Sequence, residues 1–190
     1  MLSGRIDQTG PRTGLSRTIR PHATASWLRR TRLSLRWAEN ARLGPPLLGL
    51  DDAGRRSPSS QNWQPWDFIL VTDRAQLREL AKVWRGAGHV AGSAATIVVL
   101  GPSADNEFHR AHFDLGQATM AMMLAAADLG VGSCHAGVAD LPLARELLGF
   151  PEDRNWALLI SLGYPADRPL APISSPRRRP FGEVVHRGRW

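Results

Sequence analysis

The chain has 190 residues, of which 43% are hydrophobic and 22% are charged, and its formal net charge is +7. This length and apolar content suit one globular domain with a buried core. Cys134 is the only cysteine, which excludes an intrachain disulfide and favours a reducing cytoplasm. The longest apolar run, near Ala118 to Leu129, is too short to span a bilayer, and we expect no signal peptide.

Positive charge is concentrated at the two ends of the chain. Residues 1–42 hold nine arginines and two acidic residues, a net charge of +7, and residues 177–190 reach +4. The part between them has a net charge of −4. Basic ends can bind nucleic acid or an anionic surface, and they can equally bind the phosphate of a cofactor. Residues 1–26 lack periodicity and predict a disordered basic tail, although their composition also resembles a transit peptide.

Helical and strand patterns alternate along the first half of the chain. A short helix is possible within Trp27–Trp37, and apolar spacing predicts a second helix over Leu47–Arg56 despite two glycines. Asp67–Thr72 has a strand pattern. Asp73 is a typical N-cap for a helix over Ala75–Trp84, where four apolar side chains share one face. Those four are Leu77, Leu80, Ala81 and Trp84.

The second half adds two strands and the longest helix. We expect strands at Thr96–Leu100 and Trp156–Leu162, and a helix over Phe108–Leu129 that ends at Gly130. A shorter helix is expected over Val138–Gly149, and Val184–His186 is a possible last strand or arm. The glycine-rich segment Gly86–Gly92 precedes a strand instead of following one, so it is not a dinucleotide-binding fingerprint. Strands that are apolar on both faces and separated by helices predict an α+β or α/β sandwich.

The segment Ser57–Trp66 contains more polar chemistry than a simple turn requires. Pro58 fixes one backbone angle, and the two serines after it offer hydroxyls and free amides. Asn62 and Gln64 each have a donor and an acceptor, so they can bind a flat heterocycle with alternating N–H and C=O groups. The alternative is a capped turn between a helix and a strand.

Two groups of basic residues are candidate anion sites. Arg32, Ser34 and Arg36 place two guanidinium groups and a hydroxyl at alternate positions, which suits a phosphate or another anion. The run Arg177–Arg179 could bind a phosphate in the same way. The alternative for both groups is a solvated basic surface, and the second could also bind nucleic acid.

Three further features indicate packing more than chemistry. Cys134 precedes His135, but neighbours in sequence do not make a catalytic pair, so we expect a small buried packing residue. His109 and His112 have metal-ligand spacing and Asp114 lies near them, but there is no further cluster of Cys or Glu ligands, so we predict no metal site. The three methionines of the long helix are expected in the core or at a subunit interface; these are Met120, Met122 and Met123.

Taken in order, these motifs resemble the nitroreductase-like FMN-dependent oxidoreductases. The family's Arg-x-Ser-x-Arg matches Arg32–Arg36, and its Pro-Ser-x-x-Asn-x-Gln-Pro-Trp matches Pro58–Trp66. Its glycine-rich segment after a long helix matches Gly130–Gly137, and its basic closing arm matches Arg177–His186. The chain departs from the family between the first two motifs, where Ala38 stands at an aromatic position and Ser57 replaces an alanine.

The resemblance implies a fold, a cofactor and a partner for residues 27–190. The fold would be a central mixed sheet flanked by helices, in a homodimer that exchanges C-terminal arms and packs its long helices at the contact. FMN would lie at the subunit interface and pass hydride from NAD(P)H, in a ping-pong reaction, to an electron-poor acceptor such as a nitroaromatic or a quinone. No protein acid or base is implied, and an amide of Ala136 or Gly137 would face flavin N5. The implied cofactor-binding residues are Arg32, Ser34, Arg36, Pro58, Ser59, Ser60, Asn62, Gln64, His135, Ala136, Gly137, Arg177, Arg178 and Arg179.

Three other functions stay open from the sequence. The first is a flavin-binding protein that NAD(P)H does not reduce. The second is a related flavoenzyme that removes halogens or fragments flavin. The third is a basic-tailed nucleic-acid-binding protein, whose affinity would fall steeply with salt; the acidic middle of the chain disfavours it.

Overall fold

In the computed structural model of the protein, a four-stranded sheet lies between two pairs of helices. The structure describes residues 37, 43, 47–102, 108–166 and 178–190. The strands are β1 (Asp67–Val71), β2 (Ala95–Gly101), β3 (Gly132–Gly137) and β4 (Trp156–Gly163). The α-helices are α1 (Leu47–Arg55), α2 (Arg74–Leu80), α3 (Phe108–Asp128) and α4 (Leu141–Leu148). Short 3₁₀ segments lie at Ser60–Asn62, Ala81–Val83, Gly88–Gly92 and Phe181–Glu183. The tail expected over residues 1–26 and all but the last residue of the helix expected within Trp27–Trp37 lie outside the described residues.

The strands lie in the order β1-β2-β4-β3. Asp67 pairs with Leu100, Gly101 with Trp156, and Gly132 with Gly163. Every pairing among the described strands is antiparallel, so the expectation of a mixed sheet is wrong for this part of the chain. Apolar periodicity could not reveal strand direction, because connections that contain a helix are long enough to return the chain to either end of a sheet.

Each face of the sheet forms its own apolar cluster. One cluster joins Ile97 and Ile160 of the sheet to the buried side of α1 and α3, and the other joins Val98 and Leu159 to α2 and α4. Successive residues of a strand point to opposite faces. Because helices cover both faces of the sheet, β2 is buried along its whole length. The expected α+β sandwich is therefore confirmed.

Helices α1 and α3 approach each other closely at Gly54. A Cβ on Gly54 would lie 2.9 Å from the Met122 sulfur and 3.0 Å from Cζ of Phe68. The glycine that seemed to weaken this helix is thus required by packing. Met122 and Met123 are in the core, whereas Met120 is 38% exposed.

Tertiary contacts changed several predicted elements. Gly132–Gly137 forms an edge strand that was not predicted from the sequence, because pairing with β4 outweighs the low strand propensity of glycine. The helix after Asp73 is α-helical only to Leu80, and Trp84 is more than one third exposed instead of buried. Residues 178–190 contain a 3₁₀ turn and no strand, so the possible strand at Val184–His186 does not form there.

The predicted N-cap at Asp73 and the predicted helix stop at Gly130 are confirmed. The Asp73 carboxylate accepts a hydrogen bond from the Gln76 amide at 2.8 Å, which is N-cap geometry. Gly130 adopts a left-handed φ of 74° just after α3, as a C-terminal glycine does. Among the described helices, none combines the length and apolar content that crossing a membrane requires.

Candidate functional site

The segment Ser57–Trp66, between α1 and β1, has an unusual backbone. Gln61, Asn62 and Gln64 have φ angles of 53°, 57° and 52°, which lie in the left-handed region. Each such residue other than glycine costs roughly 1 kcal/mol or more, and such conformations persist only when surrounding contacts impose them. We call this segment the polar loop.

Several hydrogen bonds hold the polar loop in this conformation. The Ser59 hydroxyl accepts from the Gln64 amide at 2.9 Å, and the Asn62 amide donates to the Ser59 carbonyl at 3.0 Å. The Ser60 amide donates to Oδ2 of Asp114 at 2.9 Å. Asp114 is on α3 and only 1% exposed, so a buried carboxylate ties the loop to the core.

Sequence reasoning did not identify Asp114 as part of the site. Its position gave a signal, since it lies between Ala111 and Ala118 on a helix face that is otherwise apolar. A buried carboxylate needs hydrogen-bond donors, and here a main-chain amide 54 residues away in sequence provides one.

The large side chains of the polar loop serve structure more than binding. Trp66 is buried and stacks on Phe68, with ring centroids 6.4 Å apart. The Arg110 guanidinium lies 5.0 Å from the centroid of Trp63.

The Gln64 side chain donates to the Asn62 carbonyl at 3.2 Å, which leaves the side-chain oxygen of Gln64 as an acceptor. Pro58 and the Asn62 side chain face solvent.

A cleft of about 610 Å³ opens beside the loop, between α1 and the start of β1. Its lining residues are Asp51, Asp52, Arg55, Gln64, Trp66, Asp67 and Phe68. Hydrogen bonds from Arg55 and then Arg56 lower the pKa of Asp52. Arg154 forms an ion pair with Asp67 at 2.6 Å. Two of the three carboxylates that line this cleft are thus paired with arginines.

The second predicted segment, His135–Gly137, ends strand β3 at the other edge of the sheet. His135 is exposed, Ala136 is buried, and a Cβ on Gly137 would have no neighbour within 4 Å. β3 has no partner on its outer side among the described strands. Of two successive strand amides one points away from the neighbouring strand, so one of the Ala136 and Gly137 amides can donate to a ligand.

Cys134 lies beside these residues in a buried polar cluster. Its sulfur is 3.6 Å from Nε2 of His89, and Nδ1 of His89 is 2.7 Å from the Ser161 hydroxyl. Burial raises the pKa of the Cys134 thiol to about 11, and burial followed by the charge of His135 lowers the pKa of His89. Cys134 is 4% exposed, as expected for a packing residue, and a protonated thiol is a poor nucleophile.

Within one chain, the polar loop and His135–Gly137 lie at opposite edges of the sheet. The polar loop enters β1 at one edge of the sheet, while His135–Gly137 lies on β3 at the other edge. The three intervals between four strands span about 14 Å. The register places Gly137 in the same row as Phe68, so both segments lie near the same end of the sheet.

The structure describes only some of the residues in the two predicted basic groups. Arg178 and Arg179 are exposed, and Arg179 contacts Glu183, with Nη2 donating to the main-chain oxygen at 2.7 Å. Arg32, Ser34, Arg36 and Arg177 lie outside the described residues. Trp37, which follows Arg36, is buried and forms a β-bridge with Pro165 at the end of β4. Among described residues, no group of three or more His, Cys, Asp or Glu side chains could hold a metal ion.

The sequence model of the nitroreductase family matches residues 47–89 and 82–164. The chain belongs to the nitroreductase family. A protein of Archaeoglobus fulgidus with the provisional name NADH dehydrogenase/NAD(P)H nitroreductase is 33% identical over 147 residues. That match covers 73% of this chain and 82% of the relative.

Solved structures share the fold. An FMN-dependent nitroreductase of Clostridium difficile superposes with a TM-score of 0.75 at 23% identity, over 87% of this chain and 99% of the other. The NADPH:FMN oxidoreductase of Vibrio harveyi, solved with NAD⁺, also gives 0.75 at 23% identity. In that case the superposition covers 88% of this chain and 78% of the other.

Proposed function

We propose that the protein is an FMN-dependent NAD(P)H oxidoreductase that reduces an electron-poor small molecule such as a nitroaromatic or a quinone. The observation that supports this best is the polar loop, whose strained backbone is imposed by a buried carboxylate inside the part of the chain that matches the family. The relatives are named for NAD(P)H and FMN chemistry. The lone free cysteine is consistent with a reducing cytoplasm.

The described residues fit an FMN ring. Gly137 leaves open space above the backbone, and the free edge of β3 offers an amide donor. The polar loop offers exposed amide side chains, and hydroxyls from Ser59 and Ser60. Arg178 and Arg179 are exposed, and the family resemblance assigns them to the phosphate. Arg32, Ser34, Arg36 and Arg177 are assigned to the same group by the family resemblance.

Bound FMN would supply hydride transfer at N5, from NAD(P)H to the acceptor, in two half-reactions. The chain's own residues position the ring and balance its charge. The amide at Ala136 or Gly137 would donate toward N5, and Asn62 and Gln64 would bind the polar edge of the ring. Arg32 and Arg36 would stabilise the negative charge that the reduced ring gains. None of these steps uses a protein acid or base.

We propose that the active form is a homodimer. The two halves of the predicted site lie at opposite edges of one sheet, so a second chain is needed to bring a polar loop near a β3 edge. Helix α3 also leaves a row of apolar side chains exposed: Phe113 is 68% exposed and Met120 is 38% exposed. The residue after the helix, Leu129, is 47% exposed, and burying these side chains would stabilise a dimer.

The C-terminal segment gives further support for two chains. All described residues from 178 to 190 are exposed, among them Phe181, Val184 and Trp190. The segment is also strongly basic. We propose that it wraps the partner subunit, which would bury these apolar side chains.

A visible absorption spectrum tests the proposal directly. Protein purified with added FMN should keep flavin bands after gel filtration, and NADH or NADPH should bleach them without oxygen. Bands that stay unreduced would instead indicate a flavin-binding protein without this turnover. A protein that retains no flavin would contradict the proposal and leave the basic ends as the main functional feature.

A glycine substitution tests where the ring lies. Gly137→Ala adds a methyl group where this chain has open space, so folding stability should change by less than about 0.5 kcal/mol. If the ring packs on Gly137, the same methyl should weaken FMN affinity about 10-fold or more, as overpacking does. Gly49→Ala, which also has no neighbour within 4 Å, is the control. Equal FMN affinity for both variants would contradict the placement of the ring at Gly137.

A further inference from the structure

His89 connects three separate parts of the molecule through hydrogen bonds. Its main-chain oxygen accepts from Nε1 of Trp37 at 2.8 Å. Its ring contacts the Ser161 hydroxyl on β4 at 2.7 Å and the Cys134 sulfur on β3 at 3.6 Å. His89 itself lies in the 3₁₀ segment Gly88–Gly92, before β2. No sequence motif indicated this residue.

The contacts assign the protons on the His89 ring. The Ser161 hydroxyl donates its single hydrogen to the main-chain oxygen of Cys134 at 3.0 Å. It can therefore only accept from His89, whose Nδ1 must bear a hydrogen. Nε2 of the neutral ring is then an acceptor for the Cys134 thiol. The other acceptor near this thiol, the His135 main-chain oxygen, is more distant at 3.9 Å.

Trp37 is held in place by glycines as well as by His89. A Cβ on Gly163 would lie 2.7 Å from Cε3 of Trp37, and a Cβ on Gly132 would lie 3.2 Å from its Cζ3. These glycines end β4 and begin β3, and Trp37 also bridges to Pro165. The indole is thus clamped against the same two strands that the His89 ring connects.

We propose that His89 is a positioning residue for the flavin site, because it fixes Trp37 and strand β3 in one arrangement. Arg36 precedes Trp37 in the chain, and His135–Gly137 follow Cys134. Moving His89 would therefore change the spacing between Trp37 and the amides proposed to face N5. This inference depends on the proposed function, since it concerns residues assigned there to FMN.

The arrangement should depend on pH through the His89 ring. Protonation places a hydrogen on Nε2, which then faces the thiol hydrogen of Cys134, donor against donor. His135 on β3 is the other titratable group whose charge acts on His89. Because the pKa of His89 is lowered by burial and by the charge of His135, FMN affinity should be constant near pH 7 and above and should fall only at a pH below the ordinary histidine pKa of about 6.5.

Two substitutions at His89 separate its two ring contacts. Asn places its amide nitrogen near Nδ1, so His89→Asn can keep the Ser161 bond and loses the Cys134 contact. Gln reaches the Nε2 position, so His89→Gln does the reverse. Each loses one hydrogen bond, and we expect FMN Kd to rise about 3- to 10-fold. Both should also lack the fall in affinity at low pH that depends on His89.

The control is Gln76→Ala, which removes a comparable side-chain bond to the Leu147 carbonyl (3.1 Å) on the face of α2 and α4. Thermal unfolding should show similar destabilisation for all three variants, but Gln76→Ala should leave FMN Kd, its pH profile and the flavin midpoint potential unchanged. Ser161→Ala, which removes the hydroxyl that His89 contacts, replaces any His89 variant that does not fold. If variants at His89 or Ser161 bind FMN with the wild-type Kd, pH profile and midpoint potential, the positioning role of His89 is wrong. The proposed function would be unaffected by that result. Wild-type protein that binds no FMN would overturn the proposed function first.

Discussion

Asp114→Ala should detach the polar loop from the core. Oδ2 of Asp114 accepts from the Ser60 amide at 2.9 Å, and Oδ1 lies 3.4 Å from the side-chain nitrogen of Gln117. A hydrogen bond to a charged group contributes about 1.5–3 kcal/mol, and the longer contact adds little. Removing a buried carboxylate also removes its desolvation cost, which offsets part of the loss. We expect a net loss of about 2 kcal/mol in the free energy of unfolding.

The same substitution should weaken cofactor binding. Gln61, Asn62 and Gln64 have left-handed backbones that cost roughly 1 kcal/mol each, and without the Asp114 anchor the loop can relax to ordinary conformations. FMN Kd should then rise about 10-fold or more, since binding must restore the ordered loop. Asp114→Asn keeps an acceptor for the Ser60 amide and should lose only about 1 kcal/mol.

Thermal and urea unfolding followed by circular dichroism measure the loss in the free energy of unfolding, and FMN titration measures the rise in Kd. For a chain of this size, 2 kcal/mol corresponds to a fall in Tm of about 4–8 °C. Asp128→Ala is the matched control, because Asp128 is exposed at the end of the same helix, where an acidic side chain opposes the helix dipole. An Asp114→Ala protein with wild-type Tm and FMN affinity would refute the anchoring role of this carboxylate.

Three further predictions test other parts of the structure. Gln61 is exposed with φ 53° and ψ 25°, so Gln61→Gly should raise the free energy of unfolding by about 0.5–1 kcal/mol; a decrease would contradict this backbone conformation. Gly163→Ala should lower the free energy of unfolding by about 1–3 kcal/mol and shift tryptophan fluorescence, because the added methyl group meets Trp37. Gly88→Ala should have little effect on the free energy of unfolding or on the fluorescence. The Cys134 thiol, with its pKa raised from 9.0 to about 11, should react with a disulfide reagent about 100-fold more slowly than an ordinary thiol at pH 8. The same raised pKa means that the protonated thiol favours the folded state, so stability should fall as pH rises from about 9 to 11; fast native labelling would contradict this burial.

Local sequence patterns were sufficient for most helices and strands. The α3 helix is confirmed within one residue, because its apolar spacing is long and Gly130 stops it in the left-handed region. Three of the four strands are confirmed, because a strand buried on both faces reads as a continuous apolar run, as β2 does. β3 was missed because two of its six residues are glycine, and only its neighbour β4 makes it a strand.

The family could also be recognised from the sequence, since the motifs have characteristic residues at characteristic spacings. The order and direction of the strands, the bond from Asp114 to Ser60, and the contacts of His89 could not. Each of these depends on groups that are 21 to 72 residues apart in the chain, from Gly137 and Leu158 to His89 and Ser161. The periodicity of apolar residues indicates which face of a helix or strand is buried. Which element packs against that face depends on the tertiary structure of the whole chain.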